Sequence, residues 1–102
     1  MTMDSQGRHE LESAMTVLGR LELAHAHCAG HRKEIQTSQL CGCFYCLAVY
    51  PPTEITDWVD EGFNGEGQTA LCARCGIDSV IGDRSGFPLT PSFLAEMNRH
   101  FF

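Results

Sequence analysis

The chain has 102 residues, of which 43% are hydrophobic and 20% are charged, and its formal net charge is -6 at pH 7. These values describe one small globular domain and exclude a disordered chain. No stretch approaches the roughly eighteen consecutive apolar residues that a membrane-spanning helix needs, and the acidic balance disfavours a protein that binds nucleic-acid phosphates.

The start of the chain indicates the cellular compartment. Residues 1–8 contain no basic segment followed by an apolar run, so they do not have the pattern of a secretory signal. Six cysteines in a chain without such a signal favour a reducing environment. We therefore expect a cytoplasmic protein that folds as a single domain over residues 1–102.

The first predicted element is a long helix over residues 5–31. Asp4 or Ser5 would cap its start, and Gly30 would end it. Either this helix covers the core of its own chain or it packs against a second copy, and its length leads us to expect a homodimer through residues 11–28. The helix face concerned, which we call the stripe, has residues at spacings of three and four, namely Leu11, Ala14, Leu18, Leu21, His25 and Cys28.

Between the terminal helices we predict a core of short elements over residues 41–82. Aromatic and β-branched residues favour strands, Pro51 and Pro52 end the first of them, and clustered glycines favour a loop. The predicted elements are a short helix or loop over 31–39, a strand over 44–50, a second strand or turn over 55–59, a loop over 62–67 and a short helix over 75–81 that ends at Gly82.

Two Cys-x-x-Cys motifs, separated by 25 residues, dominate this core. In each motif the two intervening residues let the backbone turn, so that both sulfurs reach one ion at about 2.3 Å. Two such pairs fill a tetrahedral shell. We predict one structural Zn²⁺ bound by Cys43, Cys46, Cys72 and Cys75, with a redox dithiol or plain buried thiols as the alternatives.

Two further groups of possible ligands leave questions open. Cys41 lies two residues before Cys43 and either replaces it as a ligand or lies beside the site as a neutral thiol. A second group of ligands lies on the first helix, where residues three and four apart share a helix face. Because two complete Cys pairs already fill one metal shell, we do not expect a second metal site there. We expect Cys28 to be a small buried hydrophobe. The helix residues concerned are His25, His27, Cys28 and His31.

The last predicted element is a helix over residues 90–101. Thr90 suits the N-cap and Pro91 suits the first helical position. The predicted fold class is therefore α+β, a small zinc-binding domain over residues 41–82 flanked by a long N-terminal helix and a C-terminal helix. The apolar face of that last helix consists of Phe93, Leu94, Met97 and Phe101.

A knuckle, a short hairpin and a second Cys pair at the start of a helix is the order of a treble-clef zinc finger, which the chain resembles. Over residues 41–82 the chain is similar to the zinc-binding half of HNH endonucleases, with specific agreement at the four cysteines. Trp58 stands where that family has its general-base His, and Gly76 stands where a metal-binding His follows the second pair. The resemblance therefore implies a zinc-binding fold without the nuclease chemistry.

Most of the chain also resembles a group of small bacterial cytoplasmic proteins. The segments that carry this resemblance are 41–46, 70–82 and 93–102. It implies a zinc-binding fold and no particular chemistry.

Three functions follow from these observations. A closed four-thiolate shell on an acidic chain favours a non-catalytic module that binds another protein or itself. An HNH-like protein that binds or cleaves nucleic acid is the alternative, and it needs a basic surface. A thiol-disulfide protein, the third possibility, needs an exposed Cys72 or Cys75 with a low pKa and no bound metal. Trp58 lies in an acidic segment and either covers the small core or anchors a basic partner. The basic surface would have to come from Arg20, Arg32, Lys33 and Arg99.

Overall fold

The computed structural model describes residues 18–102, which form helices and short antiparallel strands. Helix α1 is described over residues 18–25 and passes into a 3-10 turn at Ala26–Cys28. The elements that follow are helix α2 (Arg32–Thr37), strands β1 (Cys41–Cys43), β2 (Val49–Tyr50), β3 (Trp58–Glu61), β4 (Gly67–Ala70) and β5 (Val80–Gly82), and helix α3 (Pro91–Phe101). The predicted α+β class is confirmed. Within the described part of the chain, no helix is long and apolar enough to cross a membrane.

Strand β1 lies at the centre of a three-stranded antiparallel sheet in the order β2-β1-β5. Gly42 of β1 pairs with Val49 on one side and with Ile81 on the other. Strands β3 and β4 form a separate antiparallel hairpin, in which Trp58 pairs with Ala70. The chain therefore contains two small sheets, and neither is large enough to enclose a core by itself.

The three-stranded sheet separates two buried clusters because successive side chains of a strand point to opposite faces. On one face, a Cβ atom at Gly42 would lie 3.2 Å from Leu94 Cδ1, so α3 packs directly over β1. This first core consists of Leu21, Ala24, Cys28, Phe44, Ile81, Phe93, Leu94 and Met97. The second core, on the other face, consists of Ile35, Cys41, Cys43, Tyr50, Ile55, Ala70, Cys72 and Val80.

Helix α3 forms where the sequence predicts it. The Thr90 hydroxyl accepts a hydrogen bond from the Phe93 N–H at 3.2 Å, which caps the helix start, and Pro91 occupies the first turn. Phe93, Leu94 and Met97 are buried in the first core. Full burial of each such side chain contributes about 1.5–3 kcal/mol, so this face fixes the position of α3.

Helix α1 agrees with the prediction only in part. Its segment over residues 5–17, with Leu11 and Ala14 of the predicted stripe, lies outside the described residues. The described segment ends at Cys28, three residues before the predicted end, because Gly30 adopts a left-handed backbone with φ +59°. Leu21 and Cys28 are buried as expected. By contrast, Leu18 is 52% exposed and His25 lies at the surface.

Two predicted elements of the core are wrong. Residues 44–46 form a turn, and the strand predicted over 44–50 contains only Val49–Tyr50. The helix predicted over 75–81 is absent, and β5 occupies Val80–Gly82 because these residues pair with β1. The second Cys pair therefore leads into a strand, which differs from the treble-clef order expected from the resemblance.

Helix α2 joins the β3-β4 hairpin to the rest of the molecule. The Arg32 guanidinium lies 4.7 Å from the Trp58 ring centroid and donates to the Gly67 carbonyl at 2.7 Å. The Gly30 N–H donates to the Thr69 hydroxyl at 2.9 Å. Trp58 is half-buried against the second core, in agreement with the interpretation that it covers the core.

His31, at the start of α2, is the buried polar side chain that lacks a partner. It is 5% exposed, and neither ring nitrogen has a hydrogen-bond partner within residues 18–102. Burial lowers the pKa of the His31 imidazole and outweighs the opposite effect of the Glu34 carboxylate. The folded chain therefore holds this imidazole in its neutral form.

We predict that His31 makes the fold sensitive to acid. Below about pH 6.5 the unfolded chain binds a proton that the folded chain resists, so the free energy of unfolding should decrease as the pH falls. The variant His31→Leu should reduce this decrease, because leucine has no group to protonate. Urea unfolding of the metal-loaded protein at pH 7.5 and 5.5 gives the free energy of unfolding at each pH. The variant His100→Gln, at an exposed histidine, is the control. Equal pH dependence in His31→Leu and the wild-type protein would contradict the prediction.

Candidate metal centre

The two Cys-x-x-Cys motifs form two turns of the same design, which we call the first knuckle (residues 43–48) and the second knuckle (residues 72–77). In the first, the Leu47 N–H donates to the Cys43 carbonyl at 2.8 Å. In the second, the Gly76 N–H donates to the Cys72 carbonyl at 2.9 Å. Each knuckle thus folds its second cysteine back toward its first.

A left-handed residue follows the second cysteine of each knuckle. Its φ is +67° at Leu47 and +79° at Gly76. Glycine adopts this conformation without steric cost, whereas a residue with a Cβ pays about 1–2 kcal/mol. Gly76, which departs from the HNH pattern, is therefore explained by the backbone of the knuckle. The second knuckle has the less strained of the two turns.

The knuckles bring four sulfur atoms together. Cys43 Sγ lies 3.6 Å from Cys75 Sγ, and Cys46 Sγ lies 3.7 Å from Cys72 Sγ. All four sulfurs lie within 4.8 Å of one another, and we call them the sulfur cluster. A tetrahedral ion with metal–sulfur bonds of about 2.3 Å requires sulfur–sulfur distances of about 3.8 Å. The cluster therefore fits a tetrahedrally bound metal ion.

The same distances exclude disulfide bonds in the cluster. A disulfide places its sulfurs about 2.05 Å apart, and all six cysteines are free thiols. Cys43 and Cys72 are buried, Cys75 is half-buried and Cys46 is exposed. One corner of the cluster thus faces solvent and the opposite side faces the second core.

Backbone N–H groups point at the first sulfur of each knuckle. The Tyr45 N–H donates to Cys43 Sγ, and the Arg74 N–H donates to Cys72 Sγ, each at 3.3 Å. The Ser79 hydroxyl lies 3.1 Å from Cys43 Sγ and can donate to it when that sulfur is a thiolate. Such donors stabilise negative charge on sulfur, so the surroundings favour thiolate ligands.

Tyr50 is the buried residue that orders the second knuckle. Its side chain is 1% exposed, and its hydroxyl accepts a hydrogen bond from the Ala73 N–H at 3.0 Å. Burial alone would raise the pKa of Cys72, but hydrogen bonds from the Tyr50 hydroxyl and from the Cys75 and Arg74 N–H groups outweigh it and lower the pKa to about 6. Cys72 is therefore prepared to ionise near neutral pH.

Two other thiols of the cluster, those of Cys46 and Cys75, need a cation to ionise. Burial, together with the neighbouring Cys43, raises the pKa of Cys75 to about 12, and burial also raises the pKa of Cys46. A metal ion deprotonates its thiol ligands, so its binding releases protons. The arrangement would hold one metal ion through the readily formed Cys72 thiolate, with the Cys46 and Cys75 thiolates forming on binding.

Cys41 lies outside the sulfur cluster. Its thiol is fully buried and donates to the Tyr50 carbonyl at 3.3 Å. Burial is the main reason that the pKa of Cys41 rises to about 12. Of the two alternatives left open by the sequence, the structure places Cys43 in the cluster and Cys41 beside it as a neutral thiol.

The histidines of the first helix point to separate neighbours. His27 Nδ1 lies 2.9 Å from Glu34 Oε1, His25 stacks on Phe101 with ring centroids 4.1 Å apart, and His31 is buried. Within residues 18–102, the sulfur cluster is the one group of three or more His, Cys, Asp or Glu side chains with metal-ligand spacing. The structure therefore does not bring these histidines together with Cys28.

Sequence reasoning missed two residues that contact the cluster, Tyr50 and Ser79. Neither belongs to a Cys-x-x-Cys motif, and both reach the sulfurs only because β2 and β5 flank β1. The sequence predicts that Tyr50 ends a strand before Pro51. It does not predict that the Tyr50 hydroxyl contacts the second knuckle.

Comparisons of the chain with protein-family models, with curated proteins and with solved structures gave no match. The treble-clef and HNH resemblances therefore stay predictions from the sequence.

We predict that the purified protein contains one metal ion per chain, lost when any cluster cysteine is replaced. Changing Cys43, Cys46, Cys72 or Cys75 to Ser should release the ion and lower the melting temperature, because metal-binding energy is folding energy in small metal-binding domains. The matched control is Cys41→Ser, which keeps a buried hydrogen-bond donor two residues from the cluster. Elemental analysis measures the metal content, and thermal unfolding measures the melting temperature. If Cys41→Ser lost the ion while the four cluster variants kept it, the assignment would be contradicted.

We also predict that Tyr50→Phe weakens metal binding by about 10- to 100-fold, the usual range for a residue that orients a ligand. This change removes the hydroxyl that contacts Cys72 and leaves the Ala73 N–H without its acceptor. Competition with a chromogenic chelator gives the affinity. The control is Tyr45→Phe, which retains the Tyr45 N–H bond to Cys43 Sγ. Equal affinity in the two variants would show that the Tyr50 hydroxyl does not support the site.

Proposed function

We propose that this protein is a non-catalytic structural-zinc module that acts by binding another protein or a second copy of itself. The observation that carries the proposal is the sulfur cluster, in which four cysteines offer all four corners of a tetrahedron. Catalytic zinc sites keep one position for water or substrate, whereas four-cysteine sites are structural. The function therefore depends on surfaces that the metal holds in place.

Zinc is the ion that suits this ligand set best. Tetrahedral thiolate sites select zinc or iron, and zinc has no redox chemistry that would perturb the thiolates. The cluster lies between β1, which ends at Cys43, and β4, which ends two residues before Cys72. One zinc ion there would tie the hairpin to the three-stranded sheet, and a reducing compartment would keep the thiols available to it.

Charge supports a protein partner. Between residues 41 and 87 there are seven acidic residues against two arginines, which gives a formal charge of -5 for this half. Of those two, Arg74 is paired with Glu54 at 2.9 Å. A surface of this sign repels phosphates and attracts basic protein surfaces.

The alternative, an HNH-like protein that binds or cleaves nucleic acid, lacks a supporting observation. Arg32 is engaged by Trp58 and Gly67, and Arg20 lies 5.4 Å from the Phe93 ring centroid, so both have packing roles. We expect no cleavage of plasmid, single-stranded DNA or RNA with magnesium, manganese or zinc. Cleavage that is lost in Asp57→Ala would contradict the proposal.

For self-association, the proposed contact is α1. Its inner residues Leu21 and Ala24 are covered by the same chain, while Leu18 is 52% and Leu23 is 64% exposed. Leu18 lies on the same stripe as Leu21, which packs against α3 in the first core. A second copy of the chain would cover Leu18 and so continue this packing along the stripe.

We predict that the metal-loaded protein is a dimer that Leu18→Glu converts to a monomer, because a carboxylate buried in the contact costs several kcal/mol. The matched control is Leu23→Glu, which introduces the same charge at an exposed position outside the stripe. Light scattering at tens of micromolar protein gives the mass. A wild-type mass near the chain mass of 11.3 kDa would exclude self-association and leave a different protein as the partner.

A further inference from the structure

A cavity of about 310 Å³ lies where both terminal helices meet the segment after the second knuckle. Three phenylalanines, Phe44, Phe101 and Phe102, line one part of it, and His25, Asp78 and Ser79 supply polar groups. Its volume lies at the lower end of the range for small-molecule sites, roughly 300 to 1,000 Å³. The lining residues are separate from the sulfur cluster, although Ser79 contacts Cys43.

The aromatic side of the cavity is held together by ring contacts. The Phe44 centroid lies 6.0 Å from that of Phe101 and 5.9 Å from that of Phe102. His25 stacks on Phe101 with centroids 4.1 Å apart. Phe44 is 1% exposed and belongs to the first core. Phe44 therefore anchors this wall in the packed interior.

Asp78 gives the lining of the cavity one formal negative charge. Asp78 is an exposed acid on its rim, and no lysine or arginine is among the lining residues. Cys28, also in the lining, has its pKa raised to about 11 by burial and then by the Asp78 charge. A carboxylate beside aromatic rings attracts cations that carry apolar groups, because the faces of aromatic rings are negative.

We propose that this cavity binds a small organic ammonium ion, with its alkyl groups against the phenylalanines and its charge beside the Asp78 carboxylate. A neutral apolar ligand would leave the carboxylate unused, and an anion would meet repulsion from it and from the chain's net charge of -6. This binding is independent of the protein contact proposed above.

The test uses the full metal-loaded chain and choline as the probe, with ionic strength kept constant by sodium chloride. Calorimetry gives the affinity, and NMR of the phenylalanine ring signals locates the site. We expect saturable binding that shifts the Phe101 and Phe102 signals. The neutral isostere 3,3-dimethylbutan-1-ol, in which carbon replaces the charged nitrogen, should bind about tenfold more weakly.

Two variants separate charge from shape. Asp78→Asn should weaken choline binding about tenfold and leave the isostere unchanged, while Asp57→Asn removes the same charge at an exposed acid outside the lining and should change neither. Phe102→Ala changes a side chain that is 60% exposed and should weaken the binding of both ligands. It is the variant to use if Asp78→Asn fails to fold. Absence of saturable choline binding, equal affinity for the isostere, or choline binding indifferent to Asp78→Asn would each overturn the proposal.

Discussion

The convergence of four sulfur atoms between two small sheets is the constraint on which the rest of this structure depends. Cys43 ends the central strand of one sheet, and Cys72 follows the last strand of the other. The three-stranded sheet has strands of only two and three residues, and an isolated two-stranded hairpin is marginally stable at best in water. A metal ion bound by all four thiolates would join them at one point and supply the energy that such short strands lack.

The second dependence is on Gly42, which lets α3 approach the sheet. A side chain there would occupy space that Leu94 and Leu89 fill, since a Cβ atom would lie 3.2 and 3.5 Å from them. The neighbours Cys41 and Cys43 point to the opposite face, into the second core. The sequence Cys-Gly-Cys therefore gives β1 one face for the metal centre and one for the helices, and this division allows a single strand to serve both cores.

The sequence was most informative where chemistry is local. The four cysteines, the capped α3 with Phe93 and Leu94, and the end of α1 near Gly30 could all be predicted because spacing and capping act over a few residues. Prediction was wrong over 75–81, where a helix was expected, because Val80 and Ile81 pair with β1, nearly forty residues earlier in the chain. Tertiary pairing overrides local preference in this way. The contacts of Tyr50 and Ser79 with sulfur were hidden for the same reason.

The knuckles also solve an electrostatic problem that a four-cysteine site creates. A dication with four thiolates keeps a formal charge of -2, and here it would lie in the acidic half of the chain. The N–H groups of Tyr45 and Arg74 point at the buried sulfur atoms of Cys43 and Cys72. These backbone dipoles offset the negative charge of the site, because residues 41–87 contain no lysine that could neutralise it. Orienting these groups requires the tight turn that follows each pair, and Leu47 accepts a left-handed backbone to complete it. The cost of about 1–2 kcal/mol at Leu47 is small beside the roughly 10–16 kcal/mol that structural zinc sites provide, so the strained turn is stable wherever the metal is bound.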